Sequence, residues 1–306
     1  KMLHTRRDEL KVILKQHTKF GLRETHDKPN DAEVLHRSLF QEIPMLKRLQ
    51  KKAALQLGSS GGGNHFVEFG VVNIPEDSKD LNLKKGEYLA LLSHSGSRGL
   101  GAYVAKHYTE LAKKQSHLPK GARNLAWLDM DSEAGMEYWL AMNLAGDYAS
   151  ACHRDIHNRI AKVLKTQAKA IVENHHNFAW KETLADGTEA IVHRKGATPA
   201  GEGVLGVIPG SMTAPGFIVR GLGNAESINS ASHGAGRKMS RSAAKQNIGK
   251  DVMRKILKDH GVELIGGGVD EAPMAYKNIR EVMSHQEDLV EVLGTFTPKI
   301  VRMAKE

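Results

Sequence analysis

Cysteine is almost absent: Cys152 is the one thiol in 306 residues. An internal disulfide is excluded, and so is a structural zinc site built from several thiolates, so any metal has to rely on His, Asp, Glu or other chains. No run of 18 or more apolar residues occurs, and the basic opening KMLHTRRDELKVILKQH lacks the apolar stretch and small-residue cleavage pattern of a secretory signal. A cytoplasmic protein without a membrane partner is the expectation. Tandem repeats and flexible linkers are missing too, so one α+β domain over residues 1–306 is the simplest organisation. What is present is ordinary in bulk, with 40% hydrophobic and 26% charged residues, the composition of a globular protein able to bury a sizeable core. Two counts are less ordinary: Lys plus Arg exceed Asp plus Glu by 44 to 35, a formal charge of +9, and there are 16 histidines. The charge favours anionic partners, and imidazole can ligate transition metals, carry protons or act as a nucleophile near neutral pH.

Helical and strand-like patterns are interspersed. Val34, Leu35, Leu39, Ile43, Met45, Leu46 and Leu49 recur at helical spacing from Asp31 onward, and Pro44 divides them into two short helices. Gly86 to His94 reads as a strand and Gly99 onward as a helix, which places SHSGSRG at a strand-to-helix junction. From Ser132 to Leu164 a long helix carries Met136, Trp139, Met142, Leu144, Tyr148, Ile156 and Ile160, and a large part of the core should rest on it. Short strands are expected at Ala170 to Val172, Ala190 to Val192, Val204 to Ile208 and Phe217 to Val219. Helices are expected at Ser240 to Gln246 and Asp251 to Leu257, and a terminal strand at Lys299 to Met303, with Leu289 to Leu293 open to either assignment.

Chemistry-bearing residues gather in four places. GSSGGGNHFVE (58–68) sets Asn64, His65 and Glu68 behind glycines that allow close approach of backbone to a ligand. It has neither the Walker Gly-Lys-Ser/Thr ending nor the dinucleotide-binding glycine spacing, and the plain alternative is a turn before a strand. SHSGSRG (93–99) places His94, a potential metal ligand, near Arg98, whose guanidinium can clamp phosphate bidentately; a surface turn with a salt-bridged arginine is the alternative. ENHHNFAW (173–180) holds adjacent His175 and His176, which face opposite ways in a strand, so one is expected to ligate and the other to bond to backbone, with Phe178 and Trp180 packing. The densest region joins PGSM (209–212), RGLGN (220–224) and SASHGAGRKMSR (230–241). His233 stands there among small residues with Arg237 and Arg241 nearby, which suits a phosphorylated or nucleotidylated histidine or, equally, a hydrogen-bonding loop histidine. Cys152, in ACHRDIH on the long helix, reads as a buried packing residue.

Taken in order, GGGNHFVE, LLSHSGSRG, ENHHNFAW, HRKGA, IPGSM, FIVRGLGN, SASHGAGRKMSR and DEAPMAYKNI resemble the motifs of the RtcB family of GTP-dependent RNA ligases, over about residues 58 to 305. The resemblance implies an α+β catalytic domain with mixed or antiparallel sheets surrounded by helices. It implies joining of an RNA 3′-phosphate or 2′,3′-cyclic phosphate end to a 5′-hydroxyl, with GTP and two manganese ions, in tRNA splicing or RNA repair. By the same resemblance His65, His94 and His176 are manganese ligands, His233 is the nucleophile that becomes guanylylated, and Asn64 orients phosphate. Glu68, Tyr276 and Lys305 would surround the guanine, while Pro209, Gly210, Ser211 and Met212 together with Gly234, Ala235 and Gly236 would form parts of the nucleotide pocket. Arg98, Arg194 and Arg237 are implied contacts to RNA or triphosphate. The expected partners are RNA, specifically broken tRNA, and GTP, with a monomer as the default state. The family's amino-terminal DVHLGKG-like segment and its Asp-x-x-Cys-Gly-Met motif, which complete the manganese site, do not occur in this sequence. Together with a start at Lys1 rather than Met, this raises the expectation of an upstream segment. Two other readings remain beside the ligase: a catalytically incomplete RNA- or nucleotide-binding protein, and a metal-dependent phosphodiesterase.

Overall fold

The structure, a computed structural model, describes residues 2–305. In chain order the elements are α1 (Met2–Thr5), α2 (Arg7–His17), α3 (Leu39–Glu42), α4 (Pro44–Gln56), β1 (Phe66–Ile74), β2 (Gly86–His94), α5 (Arg98–Gln115), α6 (Glu133–Leu164), β3 (Asn177–Thr183) and β4 (Glu189–Lys195). They continue with β5 (Ala197–Pro199), β6 (Leu205–Ile208), β7 (Gly216–Gly221), β8 (Ser230–Ser232), α7 (Arg241–Asn247), α8 (Lys250–Asp259), β9 (Glu263–Ile265), α9 (Ile279–Ser284) and β10 (Val290–Met303). The fold is α+β, as the sequence pattern leads one to expect. It divides into two compact units, one from the described part of residues 1–15, 66–93 and 161–306, the other from residues 16–65 and 94–160.

The first unit is organised by β10. This strand pairs antiparallel with β1 on one side and β7 on the other, and in parallel with β9, within a sheet of order β2-β1-β10-β7-β6. Of Leu289 to Leu293 and Lys299 to Met303, expected as separate elements, all but Leu289 are thus parts of a single strand. Gly294 and Pro298 look like breakers in the sequence, but each borders a place where the register slips, between Val292 and Gly294 against β7 and between Pro298 and Ile300 against β1. A bulge is where a strand tolerates proline or glycine without losing its pairing. A second expectation fails outright: Ala170–Val172 forms no strand. The chain there is held near its end by side-chain bonds instead. Asn174 Nδ2 donates to Thr198 Oγ1 (2.7 Å), Asn174 Oδ1 accepts from Val207 N–H (3.0 Å), and Thr198 Oγ1 donates to the His175 carbonyl (3.2 Å).

The second unit is helical. Pro44 stands at the first position of α4, where its missing N–H costs nothing, and so separates α3 from α4 as the sequence suggests. Ala141, Leu144, Tyr148 and Cys152 recur at three- and four-residue spacing on α6 and pack in one core with Phe40, Leu46, Leu57, Leu100, Val104 and Tyr108. The Tyr148 hydroxyl donates to the Ala53 carbonyl at 2.7 Å and ties α6 to α4. Cys152 is fully buried, and burial pushes its thiol up to about 11, so it is an inert packing group. No described helix is long and apolar enough to cross a membrane.

The β1–β10 bulge depends on the absence of a side chain at Gly70, where an added Cβ would overlap the Phe296 ring and the Thr297 carbonyl oxygen. Gly70→Ala should therefore lower stability by about 1–3 kcal/mol through overpacking. Urea denaturation of the two proteins checks this, and an unchanged midpoint would show that the bulge relaxes freely.

Candidate active site

In the first unit, the structure brings His176 and His233 face to face, with ring centroids 4.8 Å apart and planes inclined by 16°. The cause is a single residue between β4 and β5. Strand β4 pairs with β3, which begins one residue after His176, whereas β5 pairs with β8, which ends one residue before His233. Gly196 makes the change of partner with φ +75°, a conformation that favours glycine. Its N–H donates to the His176 carbonyl (3.2 Å) and its carbonyl accepts from His233 N–H (3.3 Å), so both histidine segments hang on one residue. The neighbouring His175 turns the other way and stacks on Phe178 at 5.4 Å.

His233 is partly exposed, and its Nδ1 is buried with no hydrogen-bond partner among the described residues. Small residues clear the space around the ring. The Ala235 N–H donates to the Pro209 carbonyl (3.3 Å), which brings the Pro209–Met212 turn against Gly234–Gly236. A Cβ on Gly234 would lie 3.1 Å from that carbonyl, and one on Gly210 would overlap the Pro215 carbonyl oxygen. Ser232 Oγ donates to the Gly234 carbonyl (2.8 Å), and Ser232 N–H donates to Oε1 of the buried Gln286 (2.9 Å).

The arginines are more committed than their motifs suggest. Arg194 is 3% exposed and makes a bidentate pair with Glu182 at 2.6 and 2.9 Å; it also donates to Ser230 Oγ (2.8 Å) and the Ile228 carbonyl (2.9 Å) and lies over Trp180. Its guanidinium faces protein acceptors, which braces β3, β4 and β8 around the histidine pair. Arg237 donates to the Asp270 carbonyl (2.6 Å), the Met239 carbonyl (3.1 Å), Glu271 Oε2 (3.3 Å) and the Tyr276 hydroxyl (3.3 Å), with its head over the Tyr276 ring. The Tyr276 hydroxyl in turn donates to Glu271, and burial followed by that bond raises its pKa well above the phenol's ordinary value. Glu271 and Gly196 are thus positioning residues that the motifs contain but whose roles emerge only from partners distant in sequence. Lys305 is exposed just past β10, whose end is clasped by Gly267 N–H donating to the Ala304 carbonyl (2.7 Å).

In the second unit, His65 and His94 meet edge to face with centroids 5.5 Å apart. Gly61 N–H donates to His65 Nδ1 (2.9 Å), and Asn64 Nδ2 approaches His94 Nε2 at 3.3 Å. Arg98 opens α5 with φ +52°, a strained conformation for a side-chain-bearing residue. Its Nε donates to Ser59 Oγ (3.1 Å) and a terminal nitrogen to the Gly21 carbonyl (2.5 Å). Gly61 fits between His65 and Arg98 because a Cβ there would collide with both. Two imidazoles and an amide oxygen suit a divalent first-row metal whose other positions are filled by water or phosphate oxygens. They do not close a site alone: among the described residues no group of three or more His, Cys, Asp or Glu is placed to hold a metal ion. A metal taken by His65 through Nδ1 would also have to displace the Gly61 amide.

Glu68 is 5% exposed on β1, directly opposite Val301 and on the same face as Phe66, in the neighbourhood of the apolar cluster that contains Met212, Val301 and Met303. Burial pushes its carboxyl up to about 8, so in the nucleotide-free protein it is mostly protonated at neutral pH. A raised carboxyl pKa stabilises the fold fully below the ordinary value of 4.5, and this contribution is lost as pH rises towards about 8. Glu68→Gln cannot ionise, so it should gain on wild type across that window by up to about 1.4 kcal/mol per pH unit and hold a constant difference outside it. Chemical denaturation at a series of pH values reads this, and a difference constant throughout would show a normally titrating carboxyl.

Comparison with known proteins gives this arrangement its family. A family model described as tRNA-splicing ligase RtcB matches residues 1–304. The chain is 38% identical over 282 residues to the RNA-splicing ligase RtcB1 of Escherichia coli strain ATCC 25922, covering 87% of this chain and 65% of that protein. It is 37% identical over 282 residues to the RNA-splicing ligase RtcB of E. coli K12, with the same coverage of 87% and 65%. Against the tRNA-splicing ligase RtcB of Pyrococcus horikoshii it is 34% identical over 277 residues, covering 78% of this chain and 32% of that protein. The chain therefore spans just under two thirds of the E. coli relatives and about a third of the archaeal one. With the motif order, the α+β fold and the family match over nearly the whole sequence in agreement, the chain belongs to the RtcB family.

Proposed function

We propose that the protein acts as a GTP- and manganese-dependent RNA ligase that joins 3′-phosphate or 2′,3′-cyclic phosphate ends to 5′-hydroxyl ends through a guanylylated His233. The observation that carries this reading is the partly exposed His233, with Nδ1 buried and without a hydrogen-bond partner among the described residues, and a ring face stacked on His176 amid small residues. The names of the relatives, RNA-splicing and tRNA-splicing ligases, support RNA as the substrate class.

In this reading, water first opens a cyclic phosphate, where one is present, to a 3′-phosphate. His233 Nε2 then attacks the α-phosphorus of GTP; the N–P bond forms as the bond to the β-phosphate oxygen breaks, and pyrophosphate leaves. An oxygen of the RNA 3′-phosphate attacks the same phosphorus and releases His233, leaving GMP on the RNA end. The 5′-hydroxyl of the second RNA attacks the 3′-phosphorus, GMP departs, and a phosphodiester remains. The stack on His176 holds the imidazole in one orientation throughout, so little rotational freedom is lost on approach to GTP. Glu68, Tyr276 and Lys305 would surround the guanine, the neutral Glu68 able to donate as well as accept a hydrogen bond. The Pro209–Met212 turn and Gly234–Gly236 would contact the nucleotide, and Asn64 and Arg98 its phosphates or those of RNA. His65 and His94 would hold manganese, and His176 is offered as a ligand by the resemblance alone. Manganese, when bound, supplies neutralisation of phosphate charge.

Full-length protein given GTP, manganese, an RNA with a cyclic phosphate end and an RNA with a 5′-hydroxyl should produce joined RNA and GMP. His233→Ala should lower joining by at least about a thousand-fold. Joining that survives the substitution would overturn the proposal. Opening of the cyclic end without joining would favour a phosphodiesterase, and RNA binding with neither reaction a catalytically incomplete binding protein.

A further inference from the structure

Beyond the histidine pair, the first unit holds a second feature that none of the assigned residues uses. The segment after His233 forms an antiparallel bridge, Arg237 opposite Tyr276, with Lys238 N–H donating to the Ala275 carbonyl (2.9 Å) and Lys277 N–H to the Gly236 carbonyl (3.0 Å). In an extended ribbon successive side chains alternate between faces. Arg237 and Tyr276 share one face, where they meet Glu271. Lys238 and Lys277 accordingly fall on the other. There they line a cavity of about 420 Å³ together with Asn278, Glu281, Val282 and His285.

The charge in this cavity is unbalanced. Two ammonium groups face one carboxylate, and neither lysine has an ion-pair partner among the described residues, in contrast to Arg194, Arg237 and Arg241. Asn278 uses its side-chain oxygen to accept from Arg280 N–H at 3.1 Å, which leaves its Nδ2 as a further donor. Val282 supplies an apolar wall, and the volume exceeds what a lone phosphate needs. Lysines in excess of the one carboxylate, an amide donor and a patch of apolar wall match a sugar-phosphate unit. From His233 to Lys238 the chain can span no more than about 18 Å, so nucleotides next to a reacting end are within reach.

We propose that this cavity binds a backbone phosphate of the RNA strand whose end reacts at His233, a placement that rests on the ligase reading above. The test pairs two readouts on full-length protein carrying Lys238→Ala and Lys277→Ala together. Binding of a labelled single-stranded RNA with a 3′-phosphate is titrated over a range of salt, and transfer of GMP from GTP to protein is measured without RNA. RNA binding should weaken at least about five-fold, and the slope of log affinity against log salt should become shallower by about 0.7–1.4, the counterion release of one or two phosphates on a single strand. Protein guanylylation should keep its wild-type dependence on GTP, and the Lys238→Arg, Lys277→Arg protein should retain RNA binding. Unchanged RNA affinity and slope would overturn the proposal. A raised GTP requirement with RNA binding intact would overturn it too, assigning the cavity to the triphosphate of GTP. Should wild type show no GMP transfer, the ligase reading fails by itself, and the salt titration still decides whether the lysines hold RNA.

Discussion

The candidate chemistry in the first unit depends on Gly196. A strand that pairs with β3 and a strand that pairs with β8 have to be joined without a long loop, and the left-handed conformation at φ +75° does this within one residue. The same peptide environment then fixes both histidines, with its N–H on the His176 carbonyl and its carbonyl on His233 N–H. Residues other than glycine adopt this conformation at a cost of roughly 1 kcal/mol or more. Backbone pairing thus brings the two residues close enough for their rings to stack at 4.8 Å.

Around this pivot, charge is used in two ways. Arg194 and Arg237 are bound to Glu182 and Glu271 and to backbone carbonyls, where they stiffen the walls of the site. Removing a partner from such a buried pair is costly because the remaining charge is left unsolvated. Elsewhere, Lys238 and Lys277 line a cavity with no ion-pair partner among the described residues. Glu68 shows the opposite device: burial, not a partner, sets its carboxyl, raising it to about 8 so that the neutral form prevails at neutral pH.

Much of this was legible before the structure. Pro44 divides two helices, the long helix ends at Leu164, and the glycine-rich motifs surround the residues singled out for chemistry. What was illegible has physical causes. Gly294 and Pro298 punctuate a sequence as if ending a strand, yet β10 absorbs them at places where its register slips. Ala170–Val172 has the apolar run of a strand but no strand partner. An arginine in a motif cannot reveal whether it will meet phosphate or a carboxylate, since Glu271 lies 34 positions from Arg237 and Glu182 lies 12 from Arg194. Which of His175 and His176 faces His233 was likewise set by pairing at Gly196, a contact between segments that no local pattern encodes.

The central claim is that the imidazole presented by this framework takes up GMP. Mass spectrometric mapping of full-length protein after incubation with GTP and manganese tests it most directly. The account predicts one acid-labile GMP on the peptide containing His233, attached through nitrogen. GMP found on a lysine instead, or RNA joined at full rate by protein that never carries GMP, would contradict it.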